Sequence, residues 1–164
     1  GYTNDPSAIG DIYYYNGGYI LDELIYQKGL SNKQIADVLA NEKRVLTIAD
    51  SAEPKSINEI KSFGIMIQPA VKGKDSVNYG IQVVQDQQIS ITKRSVDTIK
   101  EYRNYLWDTD KDGRILRVPI GIFNHSMDAI RYALTSLIPV IRRKEQLNAL
   151  RLNLQAPPRS NIAV

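Results

Sequence analysis

A five-residue apolar run, Val45-Leu46-Thr47-Ile48-Ala49, ends on an aspartate and is bracketed by two helix-start signatures. Upstream, Ser31-Asn32-Lys33-Gln34 is a capping box: the Ser31 hydroxyl accepts the Gln34 amide proton while the Gln34 side chain reaches back. The helix it opens keeps Ile35, Val38 and Leu39 at three-to-four spacing and should run to about Lys43. Downstream, Ser56-Ile57-Asn58-Glu59 repeats the signature, and its helix should stop at Gly64 before a second run, Ile65-Met66-Ile67. Short continuous apolar runs of this kind suit strands buried on both faces. Strand, helix, strand then implies a parallel crossover, and the aspartate that closes the first strand, Asp50, stands at a carboxyl end, where open α/β sheets place their sites.

The flanks add antiparallel pairing and more helix. Ile12–Tyr15 and Tyr19–Leu21 are β-rich and separated by Asn16-Gly17-Gly18, residues that tolerate the positive φ of a tight hairpin. Asp75 or Ser76 should cap a helix through Val84, Ile89 to Thr92 should form a short strand, and Ser95 should open a helix with Val96, Ile99, Tyr102 and Leu106 on one face. A hairpin is expected around Asp112-Gly113. The last helix should start near Asn124, turn Met127, Ile130, Leu134, Leu137 and Ile141 inward, and kink or end near Pro139. The fold class read from this order is α/β, a mixed sheet of antiparallel hairpin and parallel strands flanked by helices, in one domain over residues 1–144 followed by a loosely structured tail over 145–164.

Composition removes some chemistry. With no cysteine there is no disulfide, thiolate nucleophile or thiolate zinc site, so a metal must sit on oxygen or imidazole. No apolar run approaches the roughly 20 residues that span a bilayer, and a soluble, cytoplasmic protein is expected. The net charge of +3 is mild, and basic clusters such as Lys93, Arg94, Lys100 and Arg103 suit either a polyanion or an ordinary solvated face. Asp50 and Asp128 are candidate ligands for a hard cation, with His125 three residues before Asp128 on the same helical face. Each also has a plain structural role available: an acid in a turn, an acid facing a helix's positive end, a hydrogen-bonded histidine. Asp108-Thr109-Asp110-Lys111-Asp112-Gly113 opens like a calcium loop, but the twelfth position that should be glutamate is Pro119, which favours the hairpin. Tyr13-Tyr14-Tyr15 reads as sheet packing rather than a base-stacking platform.

Three stretches carry a family resemblance: Gly1-Tyr2-Thr3-Asn4-Asp5-Pro6-Ser7-Ala8, Ala49-Asp50-Ser51-Ala52-Glu53-Pro54-Lys55-Ser56, and Asn124-His125-Ser126-Met127-Asp128-Ala129-Ile130-Arg131-Tyr132-Ala133. With weaker support from Lys72-Gly73-Lys74 and Glu101-Tyr102-Arg103 to Trp107, the chain resembles the nuclease half of phage terminase large subunits over roughly Gly1 to Leu137. The resemblance implies a ribonuclease H-like fold and a divalent-metal-dependent endonuclease that cuts concatemeric double-stranded DNA during packaging. It implies Mg²⁺ or Mn²⁺, two ions, held by Asp50 and Asp128, with Asp5 a further acid near the metal and His125 beside the cluster. A first acid should stand just ahead of Gly1, so the chain without it is expected to cut poorly. Lys72, Lys74, Lys93 and Arg94 are the candidate phosphate contacts, because grouped acids repel DNA and bases must offset them.

The implied partners are DNA, an ATPase domain of the same parent chain (no Gly-rich phosphate loop occurs here), the portal and the small terminase subunit. No membrane is implied, and the setting is the host cytoplasm. The isolated domain is expected to be monomeric. In this resemblance the Asp112-Gly113 hairpin lies beside the active site and limits DNA access. Two rivals stay open: another ribonuclease H-like nuclease, of resolvase or transposase type, and a catalytically inactive domain that docks DNA or the portal.

Overall fold

Asn16 and Gly17 adopt φ of 49° and 81°, and between them the chain reverses from strand β1 (Pro6–Tyr15) into β2 (Gly18–Lys28). In the computed structural model of the chain, which describes residues 5–42 and 45–155, this hairpin runs its full length with one irregularity between Ile9 and Gly10. It is longer than the two apolar runs suggest, because Leu24 and Ile25 continue β2 after the charged Asp22-Glu23 pair. On its other edge β2 pairs in parallel with β5 (Ile89–Ile91), which gives a three-stranded mixed sheet in the order β1-β2-β5.

The helix from the Ser31 box, α1 (Asn32–Asn41), has both capping hydrogen bonds in place. Lys43, where the sequence suggests it should end, lies outside the described residues. Strand β3 (Thr47–Ala49) pairs in parallel with β4 (Ile67–Pro69) through helix α2 (Pro54–Ser62), as the strand, helix, strand order requires. Two details differ. The helix starts at Pro54 after Glu53, not at Ser56, because proline at a first helical position supplies the right φ and lacks only an amide that would be unbonded anyway. And β3 is only partly buried, with Val45 and Leu46 exposed, since a two-stranded ladder covered by few elements cannot bury both faces.

Helix α3 (Ser76–Gln85) follows Asp75, whose φ is 58°. Helix α4 (Val96–Asn104) departs from expectation in orientation: Val96 and Tyr102 face solvent, as does Leu106 beyond its end, while Thr98 and Glu101 are the buried residues. The polar face points inward because each of those groups finds a partner there. The β6 (Trp107–Thr109) and β7 (Ile115–Pro119) hairpin forms as expected, with Asp110 accepting hydrogen bonds from the amides of Asp112 and Arg114 in the manner of a turn residue.

Helix α5 (His125–Gln155) passes through Pro139 without ending. Pro139 deprives the helix of one amide bond, and the turns on either side carry it on. It packs against β1, β3, α3 and α4. Leu134 and Ile138 meet Tyr19 in one core cluster, and Ala36, Ile57, Ile60 and Ile67 form a second beneath β3 and β4. The side chain of Ile141, also expected inward, lies outside the described ones. Among the described residues no helix is long and apolar enough to cross a membrane.

Arg94 is bound to Asp22 of β2 through its Nε and a terminal nitrogen, and Thr92 donates to the same carboxylate. The Arg94 bond, with that of Thr92, draws the Asp22 carboxyl down to about 2. A folded-state value below the unfolded one makes the contribution full above about pH 4 and lost as pH falls through about 2. Thermal melts at about pH 5 and pH 2 should therefore show a larger loss for the parent than for Asp22→Asn. Equal losses would remove this pair from the account of acid sensitivity.

Candidate active site

The end of β3 delivers Asp50 to a cleft that also receives the opening turns of α5. His125, Asp128 and Tyr132 follow one another at three- and four-residue intervals along that helix, so one face of α5 presents all three. Asp5, at the bend before β1, is exposed and lines the same cleft. Asp5, Asp50, His125 and Asp128, from three separate stretches of chain, thus all line one broad cleft.

Asp50 is held by three donors. Its Oδ1 accepts from the Ala52 amide at 2.9 Å and from the Lys72 ammonium, and its Oδ2 accepts from the Tyr132 hydroxyl at 3.3 Å. Partial burial works against the charged carboxylate, but the hydrogen bonds from Lys72, the Ala52 amide and Tyr132 outweigh it and hold the Asp50 carboxyl below its usual range. For Lys72, burial likewise opposes the charge, and the bonds to Asp50 and Tyr132 win and raise it.

Asp128 is paired with Arg131 at 2.8 Å. The guanidinium is almost fully buried and its Nε has no hydrogen-bond partner, while its side-chain carbons cover Gly80 of α3 so closely that an added Cβ would stand 2.5 Å from Cγ. Both cations flank one ring: Lys72 Nζ lies 4.7 Å and Arg131 Cζ 4.6 Å from the centroid of Tyr132. Tyr132 therefore joins the two halves of the site, through its hydroxyl to Asp50 and through its ring to the partners of both acids.

The two acids fit a hard divalent cation in kind, since their ligand atoms are carboxylate oxygens and each draws a positive group to itself. In number they do not complete a site: among the described residues no three of His, Cys, Asp and Glu are placed to hold an ion together. His125 stacks edge-on to Tyr26 with ring centroids 6.3 Å apart. Of the candidate phosphate contacts, Lys72 lies on Asp50, Lys74 and Lys93 are exposed, and Arg94 is committed to Asp22 on the sheet. Lys28 and Lys100 line the cleft instead.

Tyr132 and Arg131 join the site without having been singled out by sequence reasoning, although their spacing from Asp128 is readable: i+4 is one helical turn on the same face, and i+3 is an ion-pair position. Glu101, buried on α4, carries no such local signal.

Over residues 3–136 the chain matches the family described as Terminase RNAseH like domain. It is similar to the large terminase subunit of Bacillus phage SPP1, at 35% identity over 142 residues covering 81% of this chain and 33% of that protein. It is also similar to the PBSX phage terminase large subunit of Bacillus subtilis (strain 168), at 31% identity over 112 residues covering 66% of this chain and 26% of that protein. The chain spans about a third or less of the length of these curated relatives. Among solved structures it resembles the large terminase nuclease domain from bacteriophage SPP1 with bound Mn, with a TM-score of 0.74 and 31% identity over 83% of this chain and 81% of that one. The large terminase of a thermophilic bacteriophage shares the fold, with a TM-score of 0.67 and 20% identity over 83% of this chain and 38% of that one.

Proposed function

Since this chain belongs to the terminase RNase H-like family, we propose that it is the nuclease domain of a viral large terminase and cuts concatemeric double-stranded DNA with Mg²⁺ or Mn²⁺. The observation that carries this reading is that Asp50 and Asp128, 78 positions apart in the sequence, line one cleft and are each paired with a cation that packs on the ring of Tyr132. That the SPP1 nuclease domain was solved with bound Mn supports a divalent ion.

Asp50 and Asp128 would hold the metal, two ions in this reading, with Asp5 as a further acid. The bound metal would supply Lewis acidity at the scissile phosphate and a water activated near neutral pH. The chain's own side chains do the rest. Lys72 gives Asp50 a positive partner and, once that carboxylate is engaged elsewhere, has an ammonium free to meet a phosphate oxygen. Arg131 pairs with Asp128 and aims it, and Tyr132 holds the second oxygen of Asp50. Lys74 and Lys93 would extend the phosphate track at a distance from the acids, whereas Arg94 is free to join it only by leaving Asp22. In the parent system the domain would work in the host cytoplasm with an ATPase domain, a portal and a small terminase subunit, itself monomeric when isolated.

Plasmid cleavage tests the reading. The protein should nick and linearise supercoiled DNA with Mn²⁺ and Mg²⁺ and lose all activity in excess chelator. Cleavage indifferent to chelator would sink the assignment, and a marked preference for branched DNA would favour a resolvase-type relative.

A further inference from the structure

Glu101 is 1% exposed, yet it is a carboxylate, and it takes no part in the ion pairs of Asp50 and Asp128. Four donors surround it. Its Oε1 accepts from the Tyr26 hydroxyl at 2.7 Å and from the His125 amide at 3.1 Å; its Oε2 accepts from the Ser126 amide at 2.6 Å and from the Met127 amide at 3.3 Å. Burial and this bond together push the Tyr26 hydroxyl's ionisation far up, so the phenol remains a donor.

His125, Ser126 and Met127 are the first three residues of α5, and the opening amides of a helix have no acceptor within it. A helix usually satisfies them with its own preceding side chain, and Asn124 is among the best residues for that task. Here they point to a carboxylate on α4 that is itself tied to β2 through Tyr26. A second tie runs alongside: Glu23 of β2 accepts from the amide and hydroxyl of Thr98 at 2.7 and 2.8 Å, and Thr98 reaches the Ser126 hydroxyl at 3.2 Å. Phe123, just before the helix, stands at φ of 58°, a conformation costly for a residue with a side chain and kept only where its surroundings enforce it.

A local cap would start the helix without tying its first turn to another element. A remote cap sets the helix start relative to the β2 and α4 frame. Taking a carboxylate out of water is costly, and the four bonds to Glu101 serve mainly to offset that cost, so the arrangement is a poor route to stability alone. Its geometric product is placement: the next residue after the three capped amides is Asp128, and the first of them is His125.

We infer that Glu101 is a positioning residue for the nuclease centre, fixing where α5 presents His125 and Asp128 to the cleft that holds Asp50. This rests on the nuclease reading and adds a residue to it. Outer partners that orient metal ligands typically change metal affinity or activity by about 10–100-fold when removed.

The test uses the protein with Glu101→Gln, and Ile57→Ala as a control that lowers stability from the second core cluster, which does not include α5. Without metal, the amide proton resonances of His125, Ser126 and Met127 should move in Glu101→Gln and stay in place in Ile57→Ala. Mn²⁺ affinity, measured calorimetrically below the melting temperature, and kcat should each fall about 10-fold or more in Glu101→Gln with KM for DNA unchanged, and should match the parent in Ile57→Ala. A Glu101→Gln protein that melts lower but binds Mn²⁺ and cuts like the parent overturns the proposal. Should that variant not fold, Tyr26→Phe removes one donor from the same carboxylate and should weaken Mn²⁺ binding in the same direction by a few-fold; parent-like affinity there is equally fatal. A parent that takes up no Mn²⁺ at all would instead sink the nuclease reading beneath it.

Discussion

Asp50→Asn is expected to stop DNA cleavage while leaving the fold nearly as stable as before. The loss should reach roughly 10³-fold, because a metal ligand contributes to several kcal/mol of transition-state stabilisation and about 4 kcal/mol corresponds to that factor in rate. Stability should change by less than about 1 kcal/mol. The Lys72 to Asp50 pair is substantially exposed, at 33% and 45% for the two side chains, and exposed ion pairs contribute little. The asparagine oxygen still accepts the Ala52 amide proton, so the turn after β3 survives. Cleavage of supercoiled plasmid in Mn²⁺, with a thermal melt on the same preparation, reads both halves. Residual cutting within tenfold of the parent would remove Asp50 from the site.

The equivalent change at the other acid should behave differently. Asp128→Asn is expected to abolish cleavage to the same degree and also to destabilise the protein by about 2 kcal/mol, because its partner is a buried charge. Arg131 has 7% side-chain exposure and an unpaired Nε, and it packs over Gly80 and Tyr132, so it cannot swing into water without opening the contact between α3 and α5. The full cost of orphaning a buried charge is about 3–5 kcal/mol, reduced here because Asp128 itself is 28% exposed and asparagine can still accept one hydrogen bond. For a domain of this size that is a fall in melting temperature of about 4–8 °C. Adding Arg131→Met should restore much of the stability and none of the activity. If Asp128→Asn melts with the parent, the buried pair does not have the weight assigned to it.

The contrast between these two variants is not available from the chain itself. Both residues are legible as candidate ligands, Asp50 by its place at a strand's carboxyl end and Asp128 by its place in a helix's first turn. Their partners are not. Lys72 lies 22 residues from Asp50 and reads in the sequence as a phosphate contact, and nothing in its spacing announces the ion pair. Arg94 reads the same way, yet the acid it binds belongs to β2, 72 residues earlier. The inverted face of α4 is the clearest case. Periodicity assigns Val96, Tyr102 and Leu106 to one side and cannot say which side the protein will cover, because a helix buries polar residues when remote partners such as Glu23 and Ser126 satisfy them.

Local chemistry settled the elements whose causes are local. The positive-φ turn at Asn16-Gly17, the Ser31 cap with its reciprocal Gln34 bond, and the hairpin closed by Asp110 and Gly113 all depend on residues within a few positions of one another. They are therefore written in the amino-acid order itself. What needed three dimensions was everything held by long-range bonds: the start of α5 under a carboxylate from α4, the pairing of each acid with its cation, and the ring of Tyr132 between them. Hydrogen bonds and charge act over a few ångströms of space without regard to distance along the chain, so which groups meet is decided only once the strands and helices have packed.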